Sequence, residues 1–150
     1  MKIAFASDHA GYELKEKIKA YLKETRKDIE QVELGTNSTE SVDYTDFAFK
    51  IGEAVVNKEC DLGIVICGTG IGISIACNKV KGIRCAKADT VRQAKLTRID
   101  NDANILSLDG SMRTYKAKDI VDAFVKTEFS NLEKHTRRIN KIREYEENAR

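Results

Sequence analysis

The chain contains no proline, no long apolar run and no surplus of charge of one sign. Its 26 lysines and arginines stand against 24 aspartates and glutamates, too even a balance for a protein that holds nucleic acid chiefly by releasing counterions. Local anion pockets remain compatible with that balance. No apolar stretch approaches the roughly 20 residues that span a bilayer, so no membrane segment is expected. The opening Met1-Lys2-Ile3-Ala4-Phe5-Ala6-Ser7-Asp8 has no long apolar core ahead of a cleavage site, and residence in the cytoplasm is the expectation. Cys60, Cys67, Cys77 and Cys85 lack both the density of a secreted disulfide scaffold and the close paired spacing of a zinc site, so reduced thiols are expected. The missing proline discriminates nothing.

What is present is enough for a core. Leu, Ile, Val and Phe make up 37 of 150 residues, above the level at which a chain buries too little apolar surface to offset its ordering entropy. The length suits one domain over residues 1–150 and excludes a two-domain enzyme. A short apolar run, Ile3 to Ala6, ends at Ser7-Asp8-His9, after which Leu14, Ile18 and Leu22 recur at helical spacing. The cycle repeats with Ile29 to Leu34, closed by Gly35-Thr36, and a helix carrying Phe47, Ile51 and Val55 on one face. Leu62-Gly63-Ile64-Val65-Ile66 reads as a central strand covered on both faces. A Gly-rich turn at 68–72 leads into a helix through Ser74 to Asn78, then a short strand near Ile83 to Ala86. Thr90 and Gln93 form a capping-box pattern that starts the next helix near Val91. Ile105 to Leu108 is the fifth strand, and a helix from about Tyr115 to Thr127 buries Ile120, Val121 and Phe124. A charged last helix carries Leu132, Ile139 and Ile142 and is a candidate to pack on another subunit.

Five such cycles predict an α/β fold: a three-layer αβα sandwich of Rossmann-like type, with a five-stranded parallel sheet in the order 2-1-3-4-5 and a C-terminal helix. In that order the chain winds opposite ways from strands 1 and 3, opening a crevice beyond their carboxyl ends. The loops there are Ser7-Asp8-His9 and Cys67-Gly68-Thr69-Gly70-Ile71-Gly72.

Gly68, Gly70 and Gly72 permit unusual dihedrals and present successive N–H groups to an anion, with a helix N-terminus behind them. A dinucleotide fingerprint is not met, since its third glycine falls on Ile73 or Ile75, and no Gly-Lys-Ser/Thr triplet completes a nucleotide P-loop. A tight strand-to-helix turn is the plain alternative. Cys67 tips the balance: a sulfur between a buried strand and a helix start lies where negative charge is stabilised, which suits a base or nucleophile. Cys60, Cys77 and Cys85 read as small core residues. Asp8 and His9, across the crevice, either orient a polyol or phosphate or serve as a loop cap and an exposed imidazole. Tyr44, after Ser41-Val42-Asp43, either lines the mouth or packs at a helix start. The polar run Arg98 to Asn104 is structural by default, and Arg113, Lys134, His135, Arg137 and Arg138 either neutralise a phosphate or are solvated helix charges.

Along nearly its whole length the chain resembles ribose-5-phosphate isomerase type B, in the family that also holds the galactose-6-phosphate isomerase subunits. The resemblance is carried by Ser7-Asp8-His9-Ala10-Gly11-Tyr12, Ser41-Val42-Asp43-Tyr44 and the run Ile66 to Ala76. Asn78-Lys79, Asn101-Asp102-Ala103-Asn104 and Ile120-Val121-Asp122-Ala123 add to it. It implies an aldose–ketose isomerase without metal or cofactor, interconverting ribose 5-phosphate and ribulose 5-phosphate through an enediolate. By that likeness Cys67 is the base, the amides from Gly68 through Gly70 and Ile71 to Gly72 hold the oxyanion, and Thr69 supports the reacting end of the sugar. Members with a carboxylate base carry Glu where this chain has Ile73, which indicates the thiol variant. The likeness gives Asp8, His9 and Tyr44 to sugar hydroxyls or phosphate, Arg113 and Arg138 to phosphate, and Asn101 to a neighbouring subunit's site in a homodimer or tetramer. Two positions depart from the family. Lys134 replaces a usual arginine and loses the bidentate fork. Asp100 replaces the histidine thought to open the furanose ring, and an ionised carboxylate accepts a proton but does not donate one. Isomerisation of a hexose 6-phosphate, galactose or allose, or simple sugar-phosphate binding without catalysis, are the alternatives this leaves.

Overall fold

The computed structural model describes residues 1–149. Strands and helices alternate as β1 Lys2–Ser7, α1 Tyr12–Thr25, β2 Glu30–Glu33, α2 Tyr44–Val56, β3 Leu62–Cys67, α3 Ile71–Cys77, β4 Cys85–Lys87, α4 Val91–Asn101, β5 Ile105–Asp109 and α5 Thr114–Lys126, followed by α6 Glu133–Asn148. All four strand pairings are parallel. Side chains alternate across each strand, so the two sheet faces feed separate cores. Ile3, Phe5, Ile64, Ile66, Leu106 and Leu108 meet α1 and α5, where Leu14, Ile18, Leu22, Ile120, Val121 and Phe124 are buried. Ala4, Ala6, Val65, Cys67 and Ile105 meet α2 and α3 on the other face. The three layers expected from the sequence are therefore formed.

The order of the sheet is β2-β1-β3-β5-β4, so the last two strands exchange places relative to the order 2-1-3-4-5 expected from sequence. The physical reason lies in their composition. β5 is buried along Ile105 to Leu108 and takes an interior place between β3 and β4. β4 has three residues, two of them only partly buried, which suits an edge. The exchange leaves the β1/β3 crevice untouched and sets the end of β5 beside the end of β3, with Cys67 in register with Asp109.

Thr90 Oγ1 accepts the Gln93 N–H at 3.1 Å and starts α4 at Val91, as the capping pattern predicts. In α6 only His135 and Ile139 are buried. Leu132 is the residue ahead of the helix, and Ile142 and Tyr145 stay exposed.

Candidate active site

Three loops converge where β1, β3 and β5 end. Asp8 N–H donates to Ile66 O at 3.3 Å, and Gly110 N–H donates to Cys67 O at 2.8 Å. Close backbone approach demands glycine here: a Cβ on Gly110 would lie 2.8 Å from both Ala10 O and Cys67 O, and one on Gly11 would lie 2.4 Å from Ile66 O. Of the three alternate glycines in the loop after β3, only Gly70 has positive φ, at 76°, and a Cβ there would also strike the Leu108 carbonyl at 2.8 Å. Ser107 Oγ donates to Gly70 O at 2.6 Å and pins the turn to β5. Gly72 leaves room for a different neighbour: a Cβ would lie 2.6 Å from the Tyr44 ring. Tyr44, at the start of α2, thus lies over the start of α3.

Cys67 ends β3 beneath these loops, 4% exposed and packed with the α2/α3 core, and Gly70 N–H donates to its sulfur at 3.2 Å. Ile71 N–H turns to Thr69 Oγ1 at 3.1 Å. Two loop amides are therefore engaged internally, while those of Gly68, Thr69 and Gly72 have no internal partner among the described residues. The amide cradle expected over Gly68 to Gly72 is narrower than five donors. Asp8 does cap its own loop, its Oδ1 accepting from Ala10 N–H at 3.0 Å and Gly11 N–H at 3.1 Å, and it is 6% exposed. His9 Nδ1 accepts from Val42 N–H at 3.2 Å, which ties this loop to the segment ahead of Tyr44 and leaves Nε2–H as the free donor. Ile73 is fully buried in the α2/α3 core. Arg113 stands exposed at the start of α5, on the same end of the sheet. The hydroxyl and main-chain N–H of Ser111 hold the Asp109 carboxyl below its ordinary range.

The remaining candidates are not gathered here. Asp100 and Asn101 end α4, next to Asn104, whose carbonyl accepts from the start of β3. The five residues of β5 separate that end from Cys67 by roughly 15 Å. Asp100 Oδ1 lies 3.5 Å from His135 Nε2, and Lys134 and Arg138 stand exposed on α6, which docks at this amino end. Sequence reasoning had not marked Arg84 or Gly110. Arg84 donates to Asn101 O and Asp102 O, both at 2.9 Å, and fixes the turn that presents Asn101. No periodicity marks a guanidinium that bonds to carbonyls, and the last helix, expected to carry Leu132, Ile139 and Ile142, instead buries His135 and Ile139, because its one packed face is narrow and leaves Ile142 in solvent.

The three-layer fold with this sheet matches that of solved ribose-5-phosphate isomerases, and this protein is of the sugar-phosphate isomerase class. The chain belongs to the ribose/galactose isomerase family, whose model matches residues 3–142. A Bacillus subtilis (strain 168) protein, provisionally named a sugar phosphate isomerase, is 46% identical over 149 residues, 98% of each chain. The Clostridium thermocellum ribose-5-phosphate isomerase B structure is 49% identical, with a TM-score of 0.94 over 98% of each chain. That of Mycoplasma genitalium ribose-5-phosphate isomerase B with bound ribulose-5-phosphate is 41% identical, with a TM-score of 0.91, over 99% of this chain and 97% of the other.

Proposed function

We propose that the protein interconverts ribose 5-phosphate and ribulose 5-phosphate, with Cys67 as the base. The observation that carries this reading is the Cys67 sulfur within 3.2 Å of the Gly70 nitrogen, at the end of β3 where the β1, β3 and β5 loops meet. The thiolate takes the C2 proton of the open-chain aldose, and the electron pair moves onto O1 as the enediolate forms. The proton returns to C1 while the hydroxyl hydrogen moves between O2 and O1. Main-chain N–H groups of Gly68, Thr69 and Gly72 face the developing oxyanion, and such preorganised donors contribute about 3 kcal/mol apiece in comparable sites. Asp8, His9 Nε2–H and the Tyr44 hydroxyl hold sugar hydroxyls, and Thr69 supports the reacting end.

The site is completed by a second copy. In one chain the crevice is an open shelf, with Gly68, Thr69 and Ile71 exposed, while Asp100, Asn101, Lys134 and Arg138 lie at the far end of the sheet. In a homodimer, alone or paired into a tetramer, the partner's amino end closes the shelf: Asn101 meets the sugar, Lys134 and Arg138 join Arg113 on the phosphate, and Asp100 faces the furanose ring. Two measurements test this. Across a panel of pentose and hexose phosphates, ribose 5-phosphate has the highest kcat/KM; a higher value on galactose or allose 6-phosphate reassigns the substrate, and binding without turnover on any member removes the enzyme reading. Mixing Cys67→Ala protein with Lys134→Ala/Arg138→Ala protein under subunit exchange restores about a quarter of wild-type turnover, because half the dimers then hold one intact site of two. No restoration removes the shared site.

A further inference from the structure

His135 is the chain's buried imidazole, and its surroundings suit it to more than packing. Its Nδ1 lies 2.7 Å from Ser130 Oγ, and Ser130 Oγ also accepts the Leu132 N–H at 3.3 Å. A hydroxyl has one hydrogen and two lone pairs. With one lone pair taken by Leu132, Ser130 still either donates to a bare Nδ1 or accepts from a protonated one. The ring is therefore hydrogen-bonded on that side in both charge states. Ser130 N–H donates to Ile99 O at 3.3 Å, which latches this loop to the turn of α4 carrying Asp100. On the other side, Nε2 faces Asp100 Oδ1 at 3.5 Å. The imidazole side chain is 9% exposed and the carboxylate 42%, so a proton held on His135 reaches a ligand through Asp100.

We propose that Asp100 and His135 form one proton-exchanging pair that opens the cyclic aldose phosphate, with His135 as the positioning residue that lets a carboxylate give a proton as well as take one. This deepens the function proposed above, in which Asp100 faces the partner's bound sugar. The carboxylate takes the proton from the anomeric O1 hydroxyl and C1–O1 becomes the carbonyl. The C1–O4 bond breaks with its electron pair going to O4, and O4 takes one proton back from the pair. The pair ends as it began, and no oxidant or co-reactant is consumed. The spacing of 3.5 Å is that of a resting pair, since acid–base contacts tighten once a ligand is bound.

Ribulose 5-phosphate cannot close a five-membered ring, because its O5 carries the phosphate, so the two directions of the reaction separate ring opening from isomerisation. His135→Gln, which keeps an N–H donor but carries no proton, lowers the steady-state rate on ribose 5-phosphate by about tenfold, while the initial rate from ribulose 5-phosphate, whose open-chain product leaves and closes its ring in solution, moves by less than about twofold. Asp100→His in the His135→Gln background restores the aldose rate by placing an imidazole at the exposed position itself, which a merely structural loss at His135 would not allow. Equal losses in both directions without that rescue, or an unmoved aldose rate in an active protein, overturn the pair alone. A wild-type protein inactive on every sugar phosphate overturns the underlying function together with it.

Discussion

The two ends of the sheet are built by opposite means. At the carboxyl end the shape comes from missing side chains: Gly11, Gly70 and Gly110 each let one backbone lie against another, and the donors offered to a ligand are main-chain N–H groups. At the amino end, long side chains do the holding. Arg84 and Arg98 converge on Asp102, a non-glycine residue with φ of 45°, and they also bond the carbonyls of Asn101, Asp102 and Ala103. Burial pushes the Arg84 guanidinium below its ordinary range, with Asp102 opposing. On the function proposed above, backbone dipoles, which carry no net charge, suit an anion that exists only during the reaction, whereas charged forks satisfy buried carbonyls and stiffen a platform.

The comparison breaks first at Cys67. Cys67→Ala lowers turnover by about a thousandfold, roughly 4 kcal/mol of transition-state stabilisation, while sugar-phosphate binding by calorimetry persists because the amides survive. Undiminished turnover would remove the base. Gly70→Ala follows, costing about 3 kcal/mol of stability, since it adds a Cβ at positive φ against backbone that cannot yield. Denaturant unfolding reads this, and turnover falls with it. A loss below 1 kcal/mol would show that the carboxyl end is softer than its contacts imply. At the amino end, Asp102→Ala strands two guanidiniums and costs about 2 kcal/mol, whereas Asp102→Asn costs about half as much because Asn tolerates the left-handed conformation and still accepts a hydrogen bond. Equal melting temperatures for the two variants would mean that the carboxylate charge, which both remove, sets the cost, rather than the hydrogen bonds or the backbone strain.

The carboxyl end was the more legible of the two in sequence because its signals are local. Strand periodicity, the step to helical spacing and a glycine-rich turn all sit within a few residues, so Asp8, His9, Cys67 and the turn at 68–72 could be placed on one crevice before any coordinates. Strand order failed at β4 and β5 because pairing there depends on relative burial of two segments some twenty residues apart, a long-range property that period alone does not encode. The engagement of Gly70 and Ile71 amides was likewise hidden, since it depends on the rotamers of Cys67 and Thr69. Arg84 was invisible for a similar reason. A guanidinium that holds carbonyls 17 and 18 residues away leaves no pattern in the chain, although Asn101 and Asp102, which it holds, stood out as a polar run.

The smallest expected effect gives the sharpest view of how the carboxyl end is tuned. Gly72 has ordinary backbone geometry and lacks a side chain only because Tyr44 lies over it, with the ring carbon Cζ 2.6 Å and the hydroxyl 2.8 Å from a would-be Cβ. Tyr44 is 37% exposed, and the atoms that would be struck are the far end of a movable side chain. Gly72→Ala therefore swings the ring aside at little cost, within about 0.5 kcal/mol in stability, as for substitutions away from a packed core. If the hydroxyl binds the sugar from that place, KM for the sugar phosphate rises by about fivefold with kcat held within twofold, the signature of lost uniform binding. Tyr44→Phe should raise KM by a similar factor, and the double variant should add little to either, because both changes remove one contact. Full additivity in that cycle would mean that Gly72 serves the loop amides directly and that Tyr44 is an aromatic packed at a helix start.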